Sequence, residues 1–74
     1  MAKFYILKME RNKAGLSQAE MGEKLNISKQ AYSNKENGVS EFTCSQMVTI
    51  AKVFDMSLDS LFMADMEEQN EVFI

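Results

Sequence analysis

The chain has 74 residues, of which 46% are hydrophobic, with one cysteine and no histidine. This length allows one domain with a small core, and such domains often depend on disulfides, a metal or self-association. A single cysteine excludes an internal disulfide, and without histidine it cannot build a structural zinc site. We therefore expect a domain stabilised by helix packing, self-association or both, with no metal and no cofactor.

The formal net charge of −3 is unevenly distributed along the chain. Residues 1–40 contain seven Lys or Arg side chains and four Glu, a balance of +3, whereas residues 41–74 contain one Lys and seven acidic side chains, a balance of −6. Local charge decides which face of a protein can meet phosphate groups. The amino-terminal half could therefore face a polyanion, although the low total predicts weak nonspecific affinity.

The sequence also gives an expectation for localisation. No apolar run approaches the ~18 residues of a membrane span. The first residues lack the apolar segment and the small-residue cleavage site of a signal peptide. We expect a cytoplasmic protein that does not contact a membrane.

The first predicted helix covers residues 3–14 and ends at Gly15, because glycine readily adopts the left-handed conformation that follows many helices. Its inward side is predicted to include Phe4, Leu7 and Ala14. The apolar run that begins at Phe4 is also compatible with an extended arm, so the start of this helix stays open.

The second predicted helix follows a capping-box pattern, in which Ser17 is the N-cap and Glu20 stands three residues later. It is predicted to run to Leu25 and to bury Met21 and Leu25. Asn26 then suits a tight turn, because Asn is among the few residues that tolerate a left-handed conformation.

The third predicted helix begins after the N-cap Ser28 and ends at Asn37 and Gly38. Tyr32 is predicted to face the core, and Gly22 lies where the second helix would cross the third. Two short helices joined by a tight turn have the layout of a DNA-binding helix-turn-helix, whose second helix lies in the major groove.

The fourth predicted helix begins with another capping box, formed by Thr43 and Gln46. Cys44 is expected to be a small buried apolar residue of this helix. The apolar residues of the helix recur at helical spacing: Cys44, Met47, Val48, Ile50, Ala51 and Phe54.

Ser57 is the predicted cap of a short fifth helix. The short connections and the apolar spacing indicate an all-α bundle, with a helix-turn-helix domain at 1–63 and an acidic tail at 64–74. The tail is either a frayed terminus or an apolar plug that docks on a neighbour. The residues predicted as a possible dimer or partner surface are Leu58, Phe62, Met63, Met66, Val72, Phe73 and Ile74.

Several short motifs occur in the order and at the spacing of one known family. They are Leu7-Lys8 with Arg11, Gly15-Leu16-Ser17-Gln18, Met21-Gly22, Leu25-Asn26-Ile27-Ser28, Glu36-Asn37-Gly38, and Ile50-Ala51-Lys52 through Met56-Ser57-Leu58-Asp59-Ser60-Leu61-Phe62. Through these motifs the chain resembles the Cro/phage-repressor-like helix-turn-helix regulators, the XRE family, over residues 7–62. Gly22 stands where alanine is usual in that family, and Asn26 where glycine is usual.

The resemblance implies a compact five-helix bundle of the lambda-repressor-like type and a role for each polar residue. Lysine can donate to guanine, and glutamine and asparagine can pair with adenine, so these types suit base reading. Arg11 and Glu36 are expected to form a partly buried ion pair. The implied base contacts are Lys29, Gln30, Ser33 and Asn34, and the implied phosphate contacts are Gln18, Ser28, Lys35 and Asn37.

The function expected from this resemblance is that of a transcriptional regulator, of prokaryotic or phage type, that binds double-stranded DNA sequence-specifically. We expect it to act chiefly as a repressor. We expect it to bind a two-fold symmetric operator as a homodimer. The alternative is an antirepressor-type interaction module that uses the same fold to bind another regulator protein. An enzyme is not expected, since the chain has no histidine and no phosphate-cradling glycine loop.

Overall fold

A computed structural model describes residues 4–63, which contain five helices and, within that range, no strand. The predicted all-α five-helix fold is confirmed. The predicted tail, residues 64–74, lies outside the described part of the chain, and so does the side chain of Met63. The predicted partner surface therefore cannot be described at Met63, Met66, Val72, Phe73 and Ile74. The helices are α1 Tyr5–Lys13, α2 Gln18–Leu25, α3 Lys29–Glu36, α4 Cys44–Phe54 and α5 Asp59–Met63, the last a short π-helical segment.

Side chains cap the first turns of α2, α3, α4 and α5, as the sequence predicts. Ser17 Oγ accepts from the amide of Glu20 at 3.1 Å, and Glu20 Oε1 accepts from the amide of Ser17 at 2.9 Å. Thr43 and Gln46 make the same reciprocal pair before α4. These capping boxes fix where α2 and α4 begin.

Helices α1 to α4 all end in the same way, with a Schellman motif. In each, one residue is left-handed, and the amide of the next residue donates to a carbonyl five positions back. The left-handed residues are Gly15, Asn26, Gly38 and Asp55. The closing hydrogen bonds join Leu16 to Arg11, Ile27 to Gly22, Val39 to Asn34 and Met56 to Ala51, at 2.8–3.0 Å.

The start of the chain folds as a helix and not as an extended arm. Phe4 is the N-cap, outside the helical region, and α1 begins at Tyr5. The prediction that Ala14 faces inward is wrong, because Ala14 is the exposed C-cap, where the chain already turns towards Gly15. Leu7, one of the predicted inward residues, is fully buried.

An aromatic cluster fills the core between the first, third and last helices. The ring of Phe62 lies 5.4 Å from that of Phe4 and 5.6 Å from that of Phe42, centroid to centroid. Tyr32 adds a fourth ring, 6.0 Å from Phe42. The prediction of Phe62 as a dimer or partner surface is wrong, because this ring is 3% exposed and belongs to the core.

The predicted burial of Cys44 is also wrong. Cys44 is exposed in the first turn of α4, whose fully buried residue is Ile50. Met47 packs only partly against the core, and Val48 is 38% exposed. Helical spacing identified the correct face of α4, but Cys44, at the start of this helix, lies beyond the edge of the core.

Gly22 allows α2 to pass very close to the start of α3. A Cβ atom at this position would lie 2.8 Å from the carbonyl oxygen of Ile27 and 3.1 Å from that of Ser28. Both neighbours are backbone atoms, which move less easily than side chains. The absence of a side chain at Gly22 therefore sets the distance between the two helices that carry the candidate site.

Candidate nucleic-acid interface

Helix α3 has one buried side and one polar side. Tyr32 and Glu36 are fully buried, and they fix the helix to the core. Lys29 and Gln30 are exposed, while Ser33 and Asn34 are half-buried. The structure thus brings the four predicted base-contacting residues together on one helix of eight residues.

Two of these side chains are joined to each other. Gln30 Nε2 donates to Asn34 Oδ1 at 3.0 Å, one turn further along α3. The bond uses one donor of Gln30 and one acceptor of Asn34. The Oε1 acceptor of Gln30 and the Nδ2 donors of Asn34 are left for a ligand. The pair thus presents an acceptor and a donor side by side, with part of its rotamer freedom already lost.

The predicted phosphate-contacting residues occupy both ends of α3 and the start of α2. Ser28 is the exposed N-cap of α3, where its Oγ accepts from the amide of Ala31 at 3.1 Å. Asn37 is exposed at the other end, and its Nδ2 donates to Ser33 Oγ at 3.4 Å. A helix N-terminus favours anions because its first amides point outward, so the Ser28 end suits a phosphate.

Lys35 has a structural contact that the sequence did not predict. Its ammonium Nζ donates to the carbonyl oxygen of Glu41 at 2.7 Å. This bond ties α3 to the segment that leads to α4. The carbonyl takes one of the three ammonium hydrogens, so Lys35 keeps two donors and its charge.

Beneath the polar face, Glu36 is the centre of a buried hydrogen-bond network. Its Oε2 accepts from Arg11 Nε at 2.9 Å and from the Tyr32 hydroxyl at 2.7 Å. Its Oε1 accepts from Arg11 Nη2 at 3.2 Å and from Gln18 Nε2 at 3.3 Å. The network connects α1, α2 and α3, and it includes the ion pair expected from the resemblance.

The side chain of Gln18 has a different environment from the one expected. It lies at the start of α2 and donates inward to the buried Glu36 at 3.3 Å. A phosphate at this helix end would therefore meet the backbone amides of the first turn.

The hydrogen bond from the Tyr32 hydroxyl to Glu36 was also missed by sequence reasoning. The four-residue spacing of Tyr32 and Glu36 would have revealed this contact, because residues four apart are neighbours on a helix.

The network sets the ionisation of its members. Burial alone would raise the pKa of Glu36, but the hydrogen bonds from Arg11 and Tyr32 outweigh burial and lower it. Burial raises the pKa of the Tyr32 phenol, and the bond to Glu36 raises it further. Glu36 is therefore an anion and Tyr32 a neutral donor at neutral pH, which is the charge state that the geometry requires.

Lys29 and Lys35 carry the positive charge of the candidate interface. Among residues 4–63, the ion pairs are Arg11 with Glu36 and Lys13 with Glu10. No carboxylate in that range neutralises Lys29, which is exposed at the first position of α3. The polar face is therefore locally positive although the whole chain is acidic.

A family model described as HTH_3, helix-turn-helix, matches residues 7–61. The chain belongs to this family. As an HTH_3 protein it is a DNA-binding regulator of the Cro/XRE type, and the resemblance read from its motifs is confirmed. No curated protein and no solved structure matched the chain. None of the helices in residues 4–63 has the length and hydrophobicity needed to cross a membrane.

Proposed function

We propose that this HTH_3 protein is a sequence-specific transcriptional repressor that inserts α3 into the major groove of double-stranded DNA. One observation carries the proposal: α3 is fixed from behind by the buried Glu36 network and presents Lys29, Gln30 and Asn34 outward. A reading helix must hold its polar side chains in one register against the base edges. Repression would follow from occupying DNA that polymerase needs.

Each residue of the polar face has a chemical match in the groove. Lys29 can donate to guanine O6 and N7, and the Gln30–Asn34 pair offers the acceptor and donor that adenine N6 and N7 require. Ser33 can donate or accept. These contacts would supply the specificity that the low overall charge cannot supply through phosphates.

Phosphate contacts would hold α3 in place from both sides. The exposed Ser28 lies at the amino end of α3, and Asn37 and the two remaining ammonium donors of Lys35 lie near its carboxy end. The first-turn amides of α2 also lie on the carboxy side, because Gln18 is bonded to Glu36. Contacts of this kind fix orientation without reading sequence.

We also propose that the protein binds DNA as a homodimer through α4. A shallow groove of about 440 Å³ is lined mainly by apolar residues, and Leu58 at its edge is 36% exposed. Lys52 and Asp55 lie in the same groove. A two-fold axis makes a surface meet itself, so the Lys52 of each copy could pair with the Asp55 of the other.

Sedimentation analysis of Leu58→Lys tests this dimer surface, with Met9→Lys as the matched control. Met9 is 50% exposed on α1, and it lies outside the groove. A dimer that is lost in Leu58→Lys and kept in Met9→Lys supports the groove. Equal association of both variants contradicts it.

Selection of the purified protein against a random duplex library at low salt tests the function. We expect a palindromic motif whose half-site centres lie about one helical turn, roughly 34 Å, apart. Gln30→Ala should change the motif, and Lys8→Ala on α1 should leave it unchanged. If the folded wild-type protein enriches no sequence, the repressor proposal fails and binding to another regulator protein is favoured.

A further inference from the structure

Val39, which follows α3, is exposed, whereas the apolar residues at the corresponding positions after α1, α2 and α4 are partly buried. It follows the left-handed Gly38 in the Schellman motif that ends α3. The corresponding residues after α1, α2 and α4 are Leu16, Ile27 and Met56, and all three pack partly against the core. Val39 is 75% exposed, more than any other large hydrophobic side chain in residues 4–63.

At the end of α3, the residue that faces Val39 across the motif is polar. An apolar contact between the residue after the turn and the helix's last turn usually accompanies a Schellman motif. At the end of α4 these two residues are Met56 and Ala51, whereas at the end of α3 they are Val39 and Asn34. Asn34 is polar and bonded to Gln30, so Val39 has no apolar partner there.

The backbone nevertheless holds Val39 firmly. Its amide donates to the carbonyl oxygen of Asn34 at 2.8 Å, and the amide of Ser40 donates to the same oxygen at 3.3 Å. Lys35 fixes the next part of the segment through Glu41. A β-branched side chain has few rotamers, so Val39 is an ordered apolar group at the carboxy end of α3.

We infer that Val39 is an additional specificity-determining residue that contacts the 5-methyl group of a thymine. The inference rests on the proposed function. Thymine carries the apolar group of the major groove, and apolar side chains that contact it discriminate between bases. The backbone amide of Val39 is bonded to the carbonyl of Asn34, a member of the proposed adenine-reading pair, and each adenine in a duplex is paired with a thymine.

Deoxyuridine substitution in the selected operator tests this inference, because it removes only the thymine methyl group. Each thymine is replaced in turn, and affinity is measured for wild type, Val39→Ala and the control Met9→Ala. We expect one replacement to weaken wild-type binding about fourfold, the value of one methyl group. That penalty should disappear in Val39→Ala and persist in Met9→Ala.

Three results would overturn the inference. The first is that Val39→Ala binds the unmodified operator as tightly as wild type. The second is that deoxyuridine weakens binding of Val39→Ala as much as it weakens binding of wild type. The third is that Val39→Ala binds more weakly although no deoxyuridine replacement affects wild type. The last result would assign Val39 to deoxyribose. A wild-type protein that binds no duplex in the selection would contradict the proposed function itself, which is a separate outcome.

Discussion

The hydroxyl of Tyr32 and the guanidinium of Arg11 bind the same carboxylate oxygen of Glu36, from α3 and from α1 respectively. The distances are 2.7 Å from the hydroxyl and 2.9 Å from Arg11 Nε. The Glu36 side chain is only 1% exposed. A carboxylate so buried needs both donors, so the position of α3 depends on residues that never reach its outer face.

Loss of Arg11 should be expensive. In Arg11→Met the buried Glu36 keeps its desolvation cost without its cation, which predicts a loss of about 3–5 kcal/mol of unfolding free energy. Urea denaturation at pH 7 measures this loss. The double variant Arg11→Met/Glu36→Leu should recover part of it, since a buried pair can often be replaced by apolar residues. A double variant less stable than Arg11→Met would contradict this explanation.

The same pair predicts a reversal of pH dependence. In the wild type the pKa of Glu36 is lowered on folding, so its contribution to stability is present above the unfolded pKa of about 4.3 and is lost as pH falls through the folded pKa. In Arg11→Met, burial should raise that pKa instead. This variant should therefore gain stability as pH falls through the raised folded pKa down to the unfolded pKa of about 4.3.

Unfolding free energies measured by urea denaturation between pH 7 and pH 3 check this reversal. Glu36→Gln is the reference, because it lacks the titrating group and keeps the size of the side chain. The wild type should lose stability relative to Glu36→Gln in acid. Parallel pH profiles for wild type and Arg11→Met would show that the cation does not control the pKa of Glu36.

Two of the left-handed helix ends offer stabilising substitutions. Asp55 has a φ of 53° and Asn26 a φ of 60°. This left-handed conformation is unfavourable for a residue with a Cβ atom and unstrained for glycine. Asp55→Gly should raise the unfolding free energy by about 0.5–1 kcal/mol. Asn26→Gly should gain less, because Asn tolerates this region.

Thermal unfolding followed by circular dichroism measures these changes. Gly15→Ala is the control, and it should lower the unfolding free energy because Gly15 has a φ of 73°. An added Cβ atom at Gly15 would meet no other group within 4 Å. Its cost is therefore purely conformational, about 1 kcal/mol. If Asp55→Gly lowers stability, the Asp55 side chain must make a contact worth more than the strain.

Gln30 and Asn34 should act as one unit in DNA binding. Gln30→Ala should relax base preference at one operator position at a cost of about 1–3 kcal/mol. Asn34→Ala should affect the same position, because the two amides share a hydrogen bond. Affinities for the four bases at each position, measured for both single variants and the double variant, should be non-additive. Effects at two separate positions would contradict paired reading.

The sequence predicted the helices well because local signals decide them. The capping boxes at Ser17 and Thr43 depend on residues three positions apart, and Asn26 identifies its own turn. Such interactions can be read along the chain without knowledge of the tertiary structure. The burial of Leu7 and Met21 followed from helical spacing alone.

The errors concern residues whose environment depends on distant parts of the chain. Phe62 looked like a surface residue near the carboxy end, but it packs against Phe4, the N-cap of α1, and against Phe42 in the segment before α4. The hydrogen bonds of Gln18 to Glu36 and of Lys35 to Glu41 were missed, because the sequence does not place these oxygens nearby. The phosphate contacts of Gln18 and Lys35 stay predictions. Spacing gives the face of a helix, but not what lies opposite.

Cys44 offers a practical consequence of its exposure. It is the single cysteine of the chain and it stands on the surface at the start of α4. A thiol-reactive spin label would therefore attach at one defined point without entering the core. In a symmetric pair of molecules, two such labels would report one distance, which electron spin resonance can compare between the free protein and its DNA-bound form.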